Sequence, residues 1–322
     1  MDLPALENGL LNPIAYVLAK CTGFLAYSVD GPPKCRQLRL NKCYAIVTSA
    51  FQILAGVFMV LWLFDSVTIY KVPSLLLYLL YLLGLALKYS HYFIFLIAKH
   101  AFSKQTIQIF SNLDALDKEF NRLGLKLPYV RLRILCLLSL SISLIADGYN
   151  NLIITVYTLR NPHVHLAQLV GNLYGAYTSF SETIFSLMFF STVLIIKDMF
   201  RNLNEFLIKN FLDCNDKLVV APSRGPVHIK NVMKHYHQLT NILRKYNRIV
   251  SPQLLLVIGN QFCYVTLQVF LFVQELAAGR IDLMFALGIT AVTCTSMAKI
   301  AMLVGVSNDC QKEVGLYLPC NI

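Results

Sequence analysis

Three ionisable side chains lie inside long apolar segments and are the residues of this chain best placed to do chemistry. Lys88, Asp147 and Glu182 each fall near the middle of a predicted transmembrane helix. A charged group exposed to hydrocarbon costs several kcal/mol, so each should face a partner or water. Their similar depth predicts a mid-membrane cluster of one cation with one or two carboxylates. That cluster is either a structural pair that locks three helices together or the polar floor of a ligand cavity.

The outer halves of the same helices, and the fifth predicted span, carry aromatic and amide side chains. Such a mixture suits a small organic ligand, although tyrosines at the membrane interface also serve simply as anchors. The predicted ligand-binding set, including the three ionisable residues, is Tyr81, Lys88, Asp147, Asn151, Tyr174, Tyr177, Glu182, Tyr264 and Gln268.

Catalytic motifs are absent from the sequence, which has no glycine-rich phosphate loop, no H-E-x-x-H and no G-x-S-x-G. We therefore predict no enzymatic activity and no cofactor. Two histidine pairs, His163 with His165 and His235 with His237, come nearest to a metal site. The second pair lies two residues apart on a predicted helix and so points to different faces. We expect a solvated loop and a solvated helix surface at these pairs, without metal.

The composition indicates a membrane protein. Of 322 residues, 57% are hydrophobic and 14% are charged, whereas roughly a quarter are charged in soluble domains. The apolar residues form long blocks instead of an amphipathic rhythm. The net charge of +11 does not indicate nucleic-acid binding, because the Lys and Arg residues flank these blocks, as they do at the cytosolic face of membrane proteins.

Six blocks are long enough to cross a hydrocarbon core of roughly 30 Å as helices. They are residues 44–64, 74–98, 132–157, 166–196, 252–277 and 283–306. We therefore predict an all-α polytopic membrane protein with an N-terminal segment 1–43, a six-helix transmembrane domain 44–306 and a short tail 307–322.

The distribution of Lys and Arg predicts the orientation of these spans. Twenty-two basic residues lie in the N-terminal segment and in connections on the same side, against three in the opposite connections. Basic residues favour the cytosolic side, so both ends of the chain are predicted to be cytosolic.

Two cytosolic segments, 99–131 and 197–251, are predicted to contain helices that extend from the spans. Residues 103–122 repeat apolar side chains every three or four positions, which marks one buried face: Ile107, Phe110, Leu113, Leu116 and Phe120. Residues 232–249 do the same through Met233, Tyr236, Leu239, Ile242, Leu243 and Tyr246. Between the two halves of the second segment, residues 213–226 read as a loop.

The chain resembles insect gustatory receptors, most strongly between Phe180 and Val273. The resemblance includes Phe189-Phe190-Ser191, the stretch from Lys197 to Asn204, His237-Gln238-Leu239-Thr240-Asn241 and the stretch from Tyr246 to Leu255. The region around Cys21-Thr22-Gly23-Phe24 is similar in weaker form. The patterns are loose, and the resemblance depends on their order along the chain.

This resemblance implies a receptor in the plasma membrane of gustatory neurons that detects a small-molecule tastant. It further implies a homo- or hetero-tetrameric ligand-gated cation channel, built with other gustatory receptor subunits. The ligand pocket would lie in the outer half of the bundle, and the cytosolic helix ends would form an anchor between subunits. The family's pore is lined by a seventh helix, which we expect this chain to lack, because residues 307–313 are too polar to span.

Three alternatives remain at this point. An odorant-receptor-like subunit of the same superfamily would share the topology. A G-protein-coupled receptor would need an extracellular N-terminus and an odd number of spans, against the charge distribution. A transporter would be expected to carry an internal repeat, which is not detectable here.

Overall fold

The computed structural model describes residues 28–29, 35–36, 101–125, 127–160, 166–211, 226–277, 279 and 283–315, with scattered positions between 43 and 97. Its long helices are α1 (Ser103–Arg122), α2 (Tyr129–Arg160), α3 (Leu166–Phe211), α4 (Pro226–Ala277) and α5 (Leu283–Gly315). Strands β1 (Ser28–Val29) and β2 (Cys35–Arg36) form a two-residue antiparallel pair, with Ser28 opposite Arg36. Apart from this pair, the regular structure in the described part of the chain is helical.

Four of these helices are long and apolar enough to cross a membrane. The qualifying segments are Tyr129–Tyr149, Gly175–Lys209, Lys230–Gln274 and Ala286–Gly315. They overlap the third to sixth predicted spans. The first two predicted spans and the N-terminal segment lie largely outside the described residues, although the positions described between 43 and 97 are helical. Six crossings and their orientation therefore stay predictions.

Two helices are much longer than a bilayer is thick. α3 has 46 residues and α4 has 52, so at 1.5 Å per residue they reach about 69 and 78 Å. α4 passes without interruption through Pro252, where the sequence analysis places the start of a span. A proline removes one backbone hydrogen bond, and the helix continues across that position. A shift of either helix within the apolar region would therefore also move the end of that helix that lies outside it.

The amphipathic helix predicted at residues 103–122 is confirmed as α1. Phe110, Leu113, Leu116 and Phe120 are buried on one face. α1 ends at Arg122. Gly124, two residues later, has a φ of 78°, in the left-handed region that glycine tolerates. There the amide of Leu125 donates to the carbonyl of Phe120 at 2.9 Å, which closes the last turn.

The predicted buried face of residues 232–249 needs one correction. Leu239, Ile242 and Tyr246 are buried, but Met233 is 48% exposed and Val232 is buried instead. The packing of α4 therefore follows a helical face that begins one residue earlier than the sequence pattern indicates.

Among the described apolar helices, α3 is the central one and packs against α2, α4 and α5. Near its C-terminal end the Phe200 ring meets the Tyr236 ring edge-on, with centroids 5.1 Å apart. The Tyr236 hydroxyl donates to the carbonyl of Val314 at 2.7 Å, and Lys197 pairs with Asp309 at 2.7 Å. These contacts fasten α3, α4 and α5 together at the end predicted to be cytosolic.

The outward faces of the other apolar helices carry large exposed hydrophobic side chains. Ile145 on α2 is 72% exposed, and Leu255 and Phe262 on α4 are 73% and 67% exposed. Contiguous exposed apolar surface is uncommon in soluble monomers. Lipid contact accounts for these faces in a protein whose helices are long enough to span a bilayer.

A buried carboxyl group lies on α1, outside the apolar helices. Asp117 is 2% exposed, and the amide of Asn121 donates to its Oδ2 at 3.3 Å. Burial raises the pKa of the Asp117 carboxyl above its ordinary value of 3.8, by more than the Tyr129 hydroxyl and the charge of Lys118 lower it. The charged form is thus disfavoured in the folded protein.

The Asp117→Asn variant should unfold at a higher temperature than the parent at neutral pH. The pKa of Asp117 is higher in the folded protein than its ordinary value of 3.8, so the protonated carboxyl contributes fully to stability below pH 3.8. That contribution is lost as the pH rises through the folded-state pKa. The gain of the variant should therefore shrink as the pH falls towards 4. Thermal unfolding in detergent across this pH range measures it. Asp114→Asn, which breaks the 2.6 Å pair with Lys118, is the control and should bring no gain; parallel pH profiles for parent and Asp117→Asn would contradict the account.

Candidate functional site

An ion pair and a bridging hydroxyl connect three of the apolar helices. The ammonium of Lys299 on α5 lies 2.9 Å from Oδ1 and 3.0 Å from Oδ2 of Asp147 on α2. It also donates to Oγ1 of Thr183 on α3 at 2.9 Å. The Thr183 hydroxyl in turn donates to Oδ2 of Asp147. A hydroxyl can donate and accept together, so Thr183 bridges the two charges.

The burial of this triad explains why the contacts must be complete. Thr183 is 3% and Lys299 8% exposed, whereas the Asp147 side chain is 20% exposed. Taking one partner away from a buried pair leaves an uncompensated charge, at a cost of about 3–5 kcal/mol. The triad therefore constrains the relative rotation and depth of α2, α3 and α5.

A second polar contact begins at the neighbouring residue of α3. Glu182 is 4% exposed and accepts two amide hydrogen bonds from α4, one from Asn260 at 3.1 Å and one from Gln261 at 2.6 Å. It forms no ion pair with any residue that the structure describes. Consecutive helical residues point about 100° apart, so Thr183 serves α2 and α5 while Glu182 serves α4.

Two side chains near Glu182, one bonded to it from α4 and one a helical turn away on α3, carry unused hydrogen-bonding atoms. One is the side-chain oxygen Oε1 of Gln261, and the other is the hydroxyl of Ser186, which lies one helical turn from Glu182. Both atoms are buried and have no hydrogen-bond partner among the described residues. Buried polar groups in native proteins usually have partners. These two retain the capacity to bind water or a polar ligand.

The structure brings Asp147 and Glu182 to adjoining helices but gives them separate partners. The cation that contacts Asp147 is Lys299, which the sequence analysis did not select. Lys299 is the only Lys, Arg, Asp or Glu in the sixth predicted span, so the rule applied to Lys88 would have found it. Lys88 and Tyr81 lie outside the described residues.

The other predicted ligand-binding residues are distributed over α2, α3 and α4. Tyr177, Tyr264 and Gln268 are half-buried. Asn151 is also half-buried, and its amide donates to the main-chain oxygen of Asp147 at 2.6 Å, one turn away on the same helix. Tyr174 lies on α3, and its side chain is outside the described part.

The histidine pairs need a further correction. His237 is exposed, as expected, but His235 is 8% exposed and not a solvated surface residue. Its Nδ1 lies 3.1 Å from Oε2 of Glu119 and 3.3 Å from Oε1 of Gln238. Both partners are acceptors, so Nδ1 carries the proton. His235 is buried because α4 packs on α1 at this point. A polar residue does not contribute to an apolar pattern, so the hydrophobic periodicity did not predict its burial. His163 and His165 lie outside the described residues.

Comparison with known proteins identifies the family. The sequence model described as 7tm Chemosensory receptor matches residues 13–315. The match extends over nearly the whole chain and confirms the resemblance inferred from the sequence. No curated protein matches the chain.

Asp147→Asn should destabilise the protein by about 3–5 kcal/mol, because it leaves the Lys299 ammonium unpaired in an apolar environment. The double variant Asp147→Leu/Lys299→Met, which removes both charges, should recover most of that loss. Thermal unfolding of the detergent-solubilised protein, followed by size-exclusion chromatography, measures both.

Lys197→Met is the matched control, since it breaks a pair whose side chains are 21% and 47% exposed. Pairs this exposed contribute at most about 1 kcal/mol. A parent-like Asp147→Asn variant, or a double variant no better than the single one, would contradict the role of the triad.

Proposed function

The chain belongs to the 7tm chemosensory receptor family, and from this premise we propose that it is a gustatory receptor. In this proposal it detects a small-molecule tastant in the plasma membrane of gustatory neurons. It contributes to a ligand-gated cation channel as a subunit of a homo- or hetero-tetramer with other gustatory receptor subunits.

The observation that carries the proposal is the family match over residues 13–315. The order of the gustatory-receptor-like patterns between Phe180 and Val273 supports the taste assignment over a receptor for volatile odorants. The predicted cytosolic N-terminus supports a chemoreceptor of this kind over a G-protein-coupled receptor.

The two sets of polar contacts made by Thr183 and Glu182 form a polar layer around α3, which is the proposed floor of the ligand cavity. Glu182 offers a buried carboxylate, and Gln261 and Ser186 offer hydrogen-bonding atoms without partners among the described residues. The half-buried rings of Tyr177 and Tyr264 can supply aromatic walls. Ligand sites combine mainly apolar walls with a few polar groups, which suits a small organic molecule with hydroxyl or amine groups.

The contacts of α3 suggest how a bound ligand would act at a distance. A ligand that binds Glu182 would compete with the amides of Asn260 and Gln261 and change the packing of α3 on α4. α3 continues to the far end of the bundle, where Lys197 holds Asp309 and the Asn204 amide donates to the carbonyl of Glu313 at 2.9 Å. A ligand shifts such an equilibrium by its differential affinity for the two arrangements.

Glu182→Gln should raise the ligand concentration for half-maximal current by about tenfold, the effect of losing one charge-assisted hydrogen bond. The test is whole-cell recording from cells that express the chain with other subunits of the family, against a panel of soluble tastants and volatile odorants. Surface level is measured in parallel.

The control is Glu205→Gln on the same helix, since Glu205 is 62% exposed and pairs with Arg201. This variant should respond like the parent. An unaltered dose curve for Glu182→Gln at normal surface level would remove Glu182 from the ligand site, and a response confined to volatile odorants would favour the odorant-receptor alternative.

An epitope tag before Met1 should stain permeabilised cells only, because twenty-two basic residues on the N-terminal side against three opposite favour a cytosolic N-terminus. The measurement is antibody labelling of cells with and without detergent. A second tag in the predicted outer connection around Arg280 provides the reciprocal control and should stain intact cells. Staining of the N-terminal tag on intact cells would contradict the receptor topology.

A further inference from the structure

A groove of about 650 Å³ runs between α1 and α4, away from the polar layer around α3. Its floor is apolar, and its walls carry amide and charged side chains. The residues that line it are Phe102, Gln105, Gln108, Ile109, Asn112, Ala115, Leu116, Glu119, Gln238, Asn241, Ile242, Lys245, Arg248 and Ile249.

One end of this groove lies at the predicted membrane boundary. Phe102 follows the predicted span 74–98 by four residues, and Ile249 precedes the predicted span 252–277 by three. Both residues line the groove, while the C-terminal part of α1 meets α4 at His235. The helices therefore run antiparallel, and the groove leads from the membrane surface towards Glu119.

The membrane end of the groove is basic. Residues 226–251 of α4 contain five Lys and Arg residues and no Asp or Glu. Two of the five, Lys245 and Arg248, are exposed, line the groove and lie three residues apart, hence on one helical face. Neither forms an ion pair with a described residue. Glu119, the acidic residue of the lining, is 3.1 Å from His235 at the opposite end.

The first turn of α1 lies at the same end of the groove and leaves the basic charge of α4 uncompensated. It contains no acidic residue, and Gln105 of that turn lines the groove. Lys245 and Arg248 therefore make this end an environment for an anion.

The amides of the lining select among anions. Gln105, Gln108, Asn112, Gln238 and Asn241 place donors and acceptors along both walls. An amide can donate and accept at once, which matches the hydroxyl groups of a polyol, whereas a simple phosphate needs only donors. The lining therefore fits a ligand that carries both phosphate and several hydroxyls.

We propose that this groove binds a phosphorylated inositol headgroup, with its phosphates at Lys245 and Arg248 and its ring hydroxyls against the amides of both walls. The same headgroup occurs in lipids of the cytosolic leaflet and in soluble inositol phosphates. Basic residues next to a membrane attract anionic lipids, so a headgroup still attached to its lipid reaches the open end of the groove.

Occupancy of the groove would reach the polar layer through a single helix. α4 carries Arg248 at the groove and Asn260 beside Glu182, twelve residues or about 18 Å apart along the helix axis. A headgroup that ties α1 to α4 would thus bias the position of the amides that hold Glu182. Binding itself requires no receptor activity, so it is testable independently of the proposed taste function.

The test measures binding of three fluorescent probes to the purified full-length protein in detergent. The probes are a short-chain phosphatidylinositol bisphosphate, a soluble inositol trisphosphate and a short-chain phosphatidylserine. The inositol lipid should bind more tightly than the serine lipid, and Lys245→Gln/Arg248→Gln should weaken it by at least about tenfold, as the loss of charged hydrogen bonds predicts. Asn112→Leu/Asn241→Leu should reduce the preference for inositol over serine.

The matched control is Lys234→Gln/Arg244→Gln, which removes the same charge from exposed positions of α4 that do not line the groove. It should bind like the parent, and thermal unfolding checks that each variant is folded. Tighter binding of the lipid than of the soluble phosphate identifies a membrane source, and equal binding identifies a soluble one. Equal weakening by the control, equal affinity for the serine lipid, or unchanged binding by the groove variant overturns the proposal.

Discussion

An ionisable group in an apolar environment must find a partner, and this constraint organises the bundle. Lys299 and Asp147 are 152 residues apart in sequence, and Thr183 hydrogen-bonds with both of them. The three side chains satisfy one another only at one rotation of α2, α3 and α5. A geometric requirement of this kind adds specificity to apolar surfaces that could pack in several registers.

Because buried polar groups need partners, α3 makes polar contacts with three other described helices. Two consecutive residues, Glu182 and Thr183, point about 100° apart and make polar contacts with α4 on one side and with α2 and α5 on the other. Farther along, Lys197 and Asn204 bind α5. One continuous helix therefore holds both sets of contacts, and a ligand of the proposed kind would alter the packing at the buried carboxylate of Glu182.

Continuous helices also connect the aqueous and apolar parts. α4 contains a basic amphipathic half and an apolar half in one helix. The contacts with α1, the groove and the polar layer therefore all involve this helix. In the proposed arrangement, the boundary between these halves brings the basic side chains of α4 next to lipid headgroups. α3 and α4 each extend beyond the thickness of a bilayer as a single helix.

The sequence by itself determined much of the local structure. Long apolar blocks predict the helices because lipid leaves the backbone few other solutions, and the spacing of Phe110, Leu113, Leu116 and Phe120 defines the buried face of α1. Asp147 and Glu182 were selected because charges in apolar blocks need partners. Which partners they have was decided only by tertiary structure, since helix rotation places Lys299 at Asp147 and two amides at Glu182. The burial of His235 and the passage of α4 through Pro252 likewise depend on packing between distant segments, which no local pattern contains.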